Sequence, residues 1–122
     1  MFDNLNMNKL KIKRVYEAPA DDDGVRILVD RLWPRGMKKD EVDYDEWFKN
    51  LAPSTDLREW FSHDPSKFSE FSKKYKEELK GNPQIEKIKE WLKKSNVTLL
   101  YAAKDIKDNQ AVVLKDYIDH LS

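Results

Sequence analysis

Asp30, Arg31 and Arg35 fall within six positions, directly after the apolar run Val25–Val29 and around Leu32-Trp33-Pro34. Two guanidinium groups so placed can clamp a phosphate or carboxylate through paired, charge-assisted hydrogen bonds, with Asp30 holding one of them in position. The same residues can instead form a structural ion pair that fixes the turn. A second charged group follows the apolar run Val97–Ala102: Lys104 and Asp105, with Asn109 beyond them. Lys104 and Asn109 join Arg31 and Arg35 as candidate anion ligands. Arg58 is a further candidate ligand, or else a surface charge. Asp30, His63 and Asp105 are the candidates for catalysis. His63 has an unperturbed pKa near ~6.5 that suits acid–base work if it faces a pocket, and is otherwise a loop histidine.

Much chemistry is excluded by composition. The chain has no cysteine, which removes thiol nucleophiles, disulfides, Cys-ligated zinc and iron–sulfur clusters. The three glycines, Gly24, Gly36 and Gly81, are too far apart to build a phosphate-binding loop of the G-x-G-x-x-G or P-loop type. Two histidines, His63 and His120, stand far apart with no evident third ligand, so neither a metal nor a cofactor is expected. Lys+Arg and Asp+Glu are each 23, and this zero net charge argues against extended binding to a nucleic-acid backbone. No apolar run is long enough to span a membrane and no secretory signal is visible, so a soluble, cytoplasmic location is expected.

At 122 residues the chain reads as one domain. Met1–Asn8 is polar and aperiodic, a frayed lead-in. Lys9–Tyr16 alternates weakly and predicts a half-exposed strand, followed by the acidic loop Glu17–Gly24. That loop is too short for a helical crossover, so its flanking strands would pair antiparallel if they were neighbours. Val25–Val29 and Val97–Ala102 are rich in β-branched and aliphatic residues and predict strands buried on both faces. Trp33-Pro34-Arg35-Gly36 has the order of a type I turn.

Between the two runs the pattern is helical. Asp43 and Glu46 have capping-box spacing ahead of Trp47, Phe48 and Leu51. Ser54 or Thr55 starts a short helix with Leu57, Trp60 and Phe61 inward. Asp64-Pro65 opens a helix with the stripe Phe68, Phe71, Tyr75 and Leu79, closed by Gly81. Asn82-Pro83 opens another, with Ile85, Ile88 and Leu92 inside. Asn109 caps the last helix, whose stripe is Val113, Leu114, Tyr117, Ile118 and Leu121.

Four segments in order, VDRLWPRG, LAPSTDLREWFSHDP, the F-x-x-F-x-x-x-Y-x-x-E-L helix and VTLLYAAKD-x-x-x-NQAVVL, resemble the YeaO-like branch of the bacterial domain-of-unknown-function family 488. The resemblance covers nearly the whole chain. It implies a fold and a pocket rather than a reaction, because the family has no assigned activity. Longer relatives carry Cys, Glu, His and Arg after the second buried strand. Here those positions read Tyr101, Ala103, Lys104, Asp105, Asn109 and Gln110, so chemistry that depends on that Cys or His has no residue to carry it there.

The expected fold is a three-layer α/β domain with a small, mostly parallel central sheet, a helical insertion, and helices over both faces. Val25–Val29 and Val97–Ala102 should be adjacent parallel strands at its centre. In that arrangement both charged exits share one edge, where open α/β sheets keep their ligand sites. The expected function is an anion-binding pocket at those exits; whether the protein is an enzyme is left open, and an enzyme acting on a nucleotide or phosphorylated metabolite is the first of two readings. The alternative is a non-catalytic module that binds nucleic acid or protein through Arg31, Arg35, Arg58 and the lysines of the 67–80 helix. The expected partner is an anionic small molecule, with nucleic acid less favoured; the sequence does not set the oligomeric state.

Overall fold

The computed structural model describes residues 8–121. The expected lead-in at Met1–Asn8 lies outside these residues except for Asn8, whose side-chain amide donates to the Leu92 carbonyl at 2.7 Å. In chain order the elements are β1 (Leu10–Arg14), β2 (Val25–Leu28), β3 (Glu46–Trp47), α1 (Thr55–Phe61), α2 (Phe68–Leu79), α3 (Pro83–Leu92), β4 (Val97–Tyr101) and α4 (Gln110–Asp119). They form an α/β fold whose four-stranded sheet is parallel throughout, in the order β1-β4-β2-β3. No helix among the described residues is long and apolar enough to cross a membrane.

The two buried runs are adjacent and parallel, as their composition predicts, with Ile27 opposite Leu99 and Leu28 opposite Leu100. β1 pairs with the other side of β4, so β1 and β2 are not neighbours and the antiparallel option does not arise. The connection from β1 to β2 nevertheless spans β4 without a helix. Gly24 makes that close return feasible. Its φ is +66°, and a Cβ there would lie 1.9 Å from the Asn96 carbonyl oxygen.

One face of the sheet, through Leu10, Ile27, Val97 and Leu99, joins all four helices in the main core. Leu57 and Phe61 come from α1, Phe71, Tyr75 and Leu79 from α2, Ile85 and Ile88 from α3, and Leu114 and Ile118 from α4. On the other face Arg26, Leu28, Thr98 and Leu100 are equally buried. There the cover is a 3-10 turn at Asp21–Asp23 and extended chain at 43–45, where helices had been expected. Thr98 donates its hydroxyl to the Asp23 carbonyl at 2.7 Å, and Arg26 donates to the Asp43 carbonyl. Asp23 itself is almost fully buried and pairs with Lys11 at 3.2 Å, with Lys13 at 3.1 Å and with Arg26. Burial would raise its pKa, but hydrogen bonds from the Ala20 N–H and from Lys13 and Lys11 outweigh that and hold the carboxyl well below the usual range.

The helix starts follow the local signals. Ser54, Asn82 and Asn109 accept from backbone N–H groups of α1, α3 and α4, and Asp64 caps a 3-10 turn at Pro65–Lys67 that runs into α2. Four expectations need correction. Residues 43–51 are not helical: they form β3 and a 3-10 turn at Lys49–Leu51. The backbone groups that a helix would use are taken by β2, since Asp45 N–H donates to the Arg26 carbonyl at 2.7 Å and Phe48 N–H to that of Leu28 at 2.9 Å. The tight turn is displaced by one residue, with Met37 N–H donating to the Pro34 carbonyl. Gly36 then occupies the third position at φ +80°, the glycine-requiring place of a type II turn. α4 ends at Asp119, so Leu121 leaves the inner stripe and is exposed. Finally, Trp47, Trp60 and Phe68 are only partly buried, whereas Phe61, Phe71 and Tyr75 are fully inside.

Phe71 stacks on Phe61 at a centroid distance of 4.2 Å and is 2% exposed. Phe71→Ala should lower unfolding free energy by ~3–5 kcal/mol in urea titration, the cost of an unfilled aromatic site. A loss below ~1 kcal/mol would show that the helix packs on a different face.

Candidate functional site

Because β1, β2 and β4 run parallel, their C-terminal ends open onto one edge, and there the chain encloses a cavity of about 880 Å³. Residues from the three strand exits, the turn around Pro34, α1 and the start of α4 line it. Arg31, Arg35, Arg58, Lys104, Asp30, His63 and Asp105 all reach it, which brings together seven of the eight candidates named from sequence.

The eighth, Asn109, does not line the cavity. It is buried, its amide oxygen accepting from Val112 N–H at 3.0 Å and its amide nitrogen donating to the Asp105 carbonyl at 2.8 Å. Both ends of the side chain are consumed in capping α4, and the expected anion ligand is a structural cap. Gln110, next in the chain, faces the cavity instead.

Asp30 stands at the exit of β2 and forms no ion pair with Arg31 or Arg35, so both sequence readings of that triplet need revision. One carboxylate oxygen accepts from Ala102 N–H at 2.9 Å; the other accepts from the Gln110 side-chain amide. Burial pushes its pKa up to about 6, against the lowering effect of those two hydrogen bonds.

Two of the guanidinium groups, those of Arg31 and Arg14, are instead anchored on backbone carbonyls. Arg31 donates from Nε to the Pro53 carbonyl at 3.0 Å and from Nη2 to that of Ala52 at 3.3 Å. Arg14, at the end of β1, donates to Ala103 at 3.0 Å and Ala102 at 3.2 Å, with its guanidinium 4.8 Å from the Tyr16 ring centroid. Arg58 projects from α1, and its buried Nε has no hydrogen-bond partner among the described residues. The Arg35 side chain is exposed, while its carbonyl accepts from the Tyr16 hydroxyl at 3.2 Å. Among the described residues none of these four arginines is ion-paired. A guanidinium held by neutral carbonyls is fixed in place with its charge uncompensated.

Arg14 was missed from sequence. Its signal was available in hindsight: it ends the third parallel strand, one position before the chain turns away. His63 sits on the rim beside Ser62, and both have positive φ, +56° and +47°. Two adjacent non-glycine residues in that region are strained, and the strain presents the imidazole at the cavity mouth. Asp105 accepts from Asp108 N–H and Lys107 N–H, which together hold its pKa below the ordinary carboxylate range. No group of three or more His, Cys, Asp or Glu side chains among the described residues is arranged to hold a metal ion.

The raised pKa of Asp30 has a definite sign in stability. The native state keeps this proton up to about pH 6, whereas the unfolded chain releases it near the ordinary aspartate value of 3.8. Asp30 therefore contributes most below pH ~4, and that contribution is lost as pH rises through 6, to a total of order 3 kcal/mol. Carbon-13 NMR of the Asp30 carboxyl should show a midpoint near 6; a midpoint near 4 would mean that the site is wetter than its geometry indicates.

A family model described as "Inactive DUF488-N3 subclade" matches residues 9–121. The uncharacterized protein YeaO of Escherichia coli (strain K12) is 43% identical over 113 residues, covering 92% of this chain and 98% of that protein. An uncharacterized protein of Mycobacterium tuberculosis (strain H37Rv) is 38% identical over 111 residues, covering 91% and 94%. No solved structure matches. With nearly its full length aligned to both the family model and these relatives, the chain belongs to the DUF488-N3i family, on its YeaO-like side.

Proposed function

We propose that the cavity binds an anionic small molecule, a nucleotide or phosphorylated metabolite, and holds it without turning it over. The carrying observation is the partition of cations. Of five arginines and eighteen lysines in the chain, four arginines line the cavity and only one lysine, Lys104, does. Lysines serve as solvated surface charge elsewhere. Arginine's planar fork suits bidentate contact with phosphate or carboxylate and tolerates partial burial better than an ammonium. Five positive groups face two carboxylates, Asp30 and Asp105, and an anion would offset the surplus while giving the orphaned Arg58 Nε an acceptor.

Binding without turnover is supported by the description of the family as an inactive subclade and by the absence of cysteine from the chain. Both oxygens of Asp30 are also engaged by neutral donors. The raised pKa of Asp30 favours a second reading, in which a small enzyme uses it as general acid.

Calorimetric titration with pyrophosphate tests the anion reading. Arg35→Ala should weaken binding at least tenfold, about 1.4 kcal/mol, with little change in melting temperature because the Arg35 side chain makes no hydrogen bond among the described residues. Absence of binding at millimolar pyrophosphate would overturn the proposal. Phosphate release from bound pyrophosphate over hours, lost in Asp30→Asn, would favour the enzyme reading over simple binding.

A further inference from the structure

We infer, resting on the anion-binding reading above, that the ligand is a phosphate monoester whose body is an apolar ring, rather than a bare inorganic anion or a polar sugar phosphate. The size of the cavity is the first reason. About 880 Å³ lies in the upper part of the ~300–1,000 Å³ range of clefts that enclose drug-sized ligands, far more than one oxyanion fills.

The second reason is the wall. Beside the guanidiniums the lining carries open apolar surface from exposed Leu32 and Tyr16 and half-buried Trp33, whereas Pro53, Phe61 and Phe71 are buried. A site built only for a free oxyanion would surround it with donors. Here the donors from Arg14, Arg31, Arg58 and Lys104 share the cavity with the leucine and aromatic surface of Leu32, Tyr16 and Trp33, which gains from an apolar partner.

The third reason is where the chain leaves apolar surface open. Tyr16, Leu32, Ile106 and Leu121 are the exposed large hydrophobic residues among those described, and the first two line this cavity. Leu32 is 60% exposed between Arg31 and Trp33, a position that a ring held by its phosphate would cover. Charge sets the head group. With five cations against two carboxylates, a dianionic phosphate matches the surplus better than a singly charged carboxylate.

Calorimetric titrations of the full chain with inorganic phosphate, glycerol 3-phosphate, phenyl phosphate and phenol form the test. Phenyl phosphate should bind at least tenfold tighter than inorganic phosphate, glycerol 3-phosphate should stay within about threefold of it, and phenol should not bind detectably. Leu32→Ser, at an exposed position that leaves folding undisturbed, should shrink the phenyl-to-inorganic ratio severalfold. Phenyl phosphate should also shift the Trp33 indole resonance in a ¹H–¹⁵N spectrum. Equal affinity for phenyl and inorganic phosphate would overturn the ring while leaving the anion site intact. Tight binding of glycerol 3-phosphate would do the same. No binding by any phosphate, or phenol binding as tightly as phenyl phosphate, would remove the anion reading itself. Shifts confined to residues away from Trp33 would place the ligand elsewhere and overturn both.

Discussion

The choice of partner made by Asp30 governs the rest of the site. Its carboxylate takes one hydrogen bond from the backbone at the end of β4 and one from Gln110 at the start of α4, while its carbonyl accepts from the Trp47 indole at 2.7 Å. One residue thus ties the exits of β2 and β4 to the last helix and to β3. Had it paired with Arg31 or Arg35, that guanidinium's charge would be neutralised locally. With neutral donors instead, the carboxylate bears its desolvation cost, visible in its raised pKa, and the neighbouring guanidiniums stay uncompensated.

Parallel pairing makes that arrangement possible. Three consecutive strands, β1, β4 and β2, end at one edge, so Arg14, Ala102 and Asp30 become neighbours although they are far apart in the chain. Getting from the end of β1 back to the start of β2 ordinarily takes a helix of a dozen residues or more. Here residues 15–24 manage it as a loop, because Asp23 plugs into the sheet face between Lys11, Lys13 and Arg26. The loop is anchored by charge where a crossover helix would be anchored by apolar contact.

Those features also mark how far the sequence could be read. Val25–Val29 and Val97–Ala102 were visible as central strands because a doubly buried strand needs a mostly apolar run, interrupted here only by Arg26 and Thr98. The caps at Ser54, Asn82 and Asn109 were visible because a cap acts on N–H groups two or three residues away. Segment 43–51 was not, since its local pattern permits a helix and only pairing with Arg26 and Leu28 makes it extended. Asp30 was found as a chemical residue but given the wrong partner. Gln110 lies 80 positions away, and no local spacing points to it. Asn109 failed in the opposite direction: the cap was recognised, but a side chain fully spent on capping has nothing left for a ligand.

The two charged clusters of this molecule make opposite use of the same side chains. At Asp23 a carboxylate and three cations close on one another, and removing Asp23 would strand the buried Arg26 guanidinium, a change that typically costs ~3–5 kcal/mol. At the strand exits Arg14 and Arg31 are braced by carbonyls that cannot neutralise them, and the cavity stays open to solvent. Net charge over the whole chain is zero, so the positive edge is not a consequence of composition. It arises because most carboxylates are placed elsewhere, on helix surfaces paired with lysine or in caps and turns, while Asp30 within the cavity faces neutral donors. Such a separation leaves like charges facing one another at this edge, the feature on which the proposed anion binding rests.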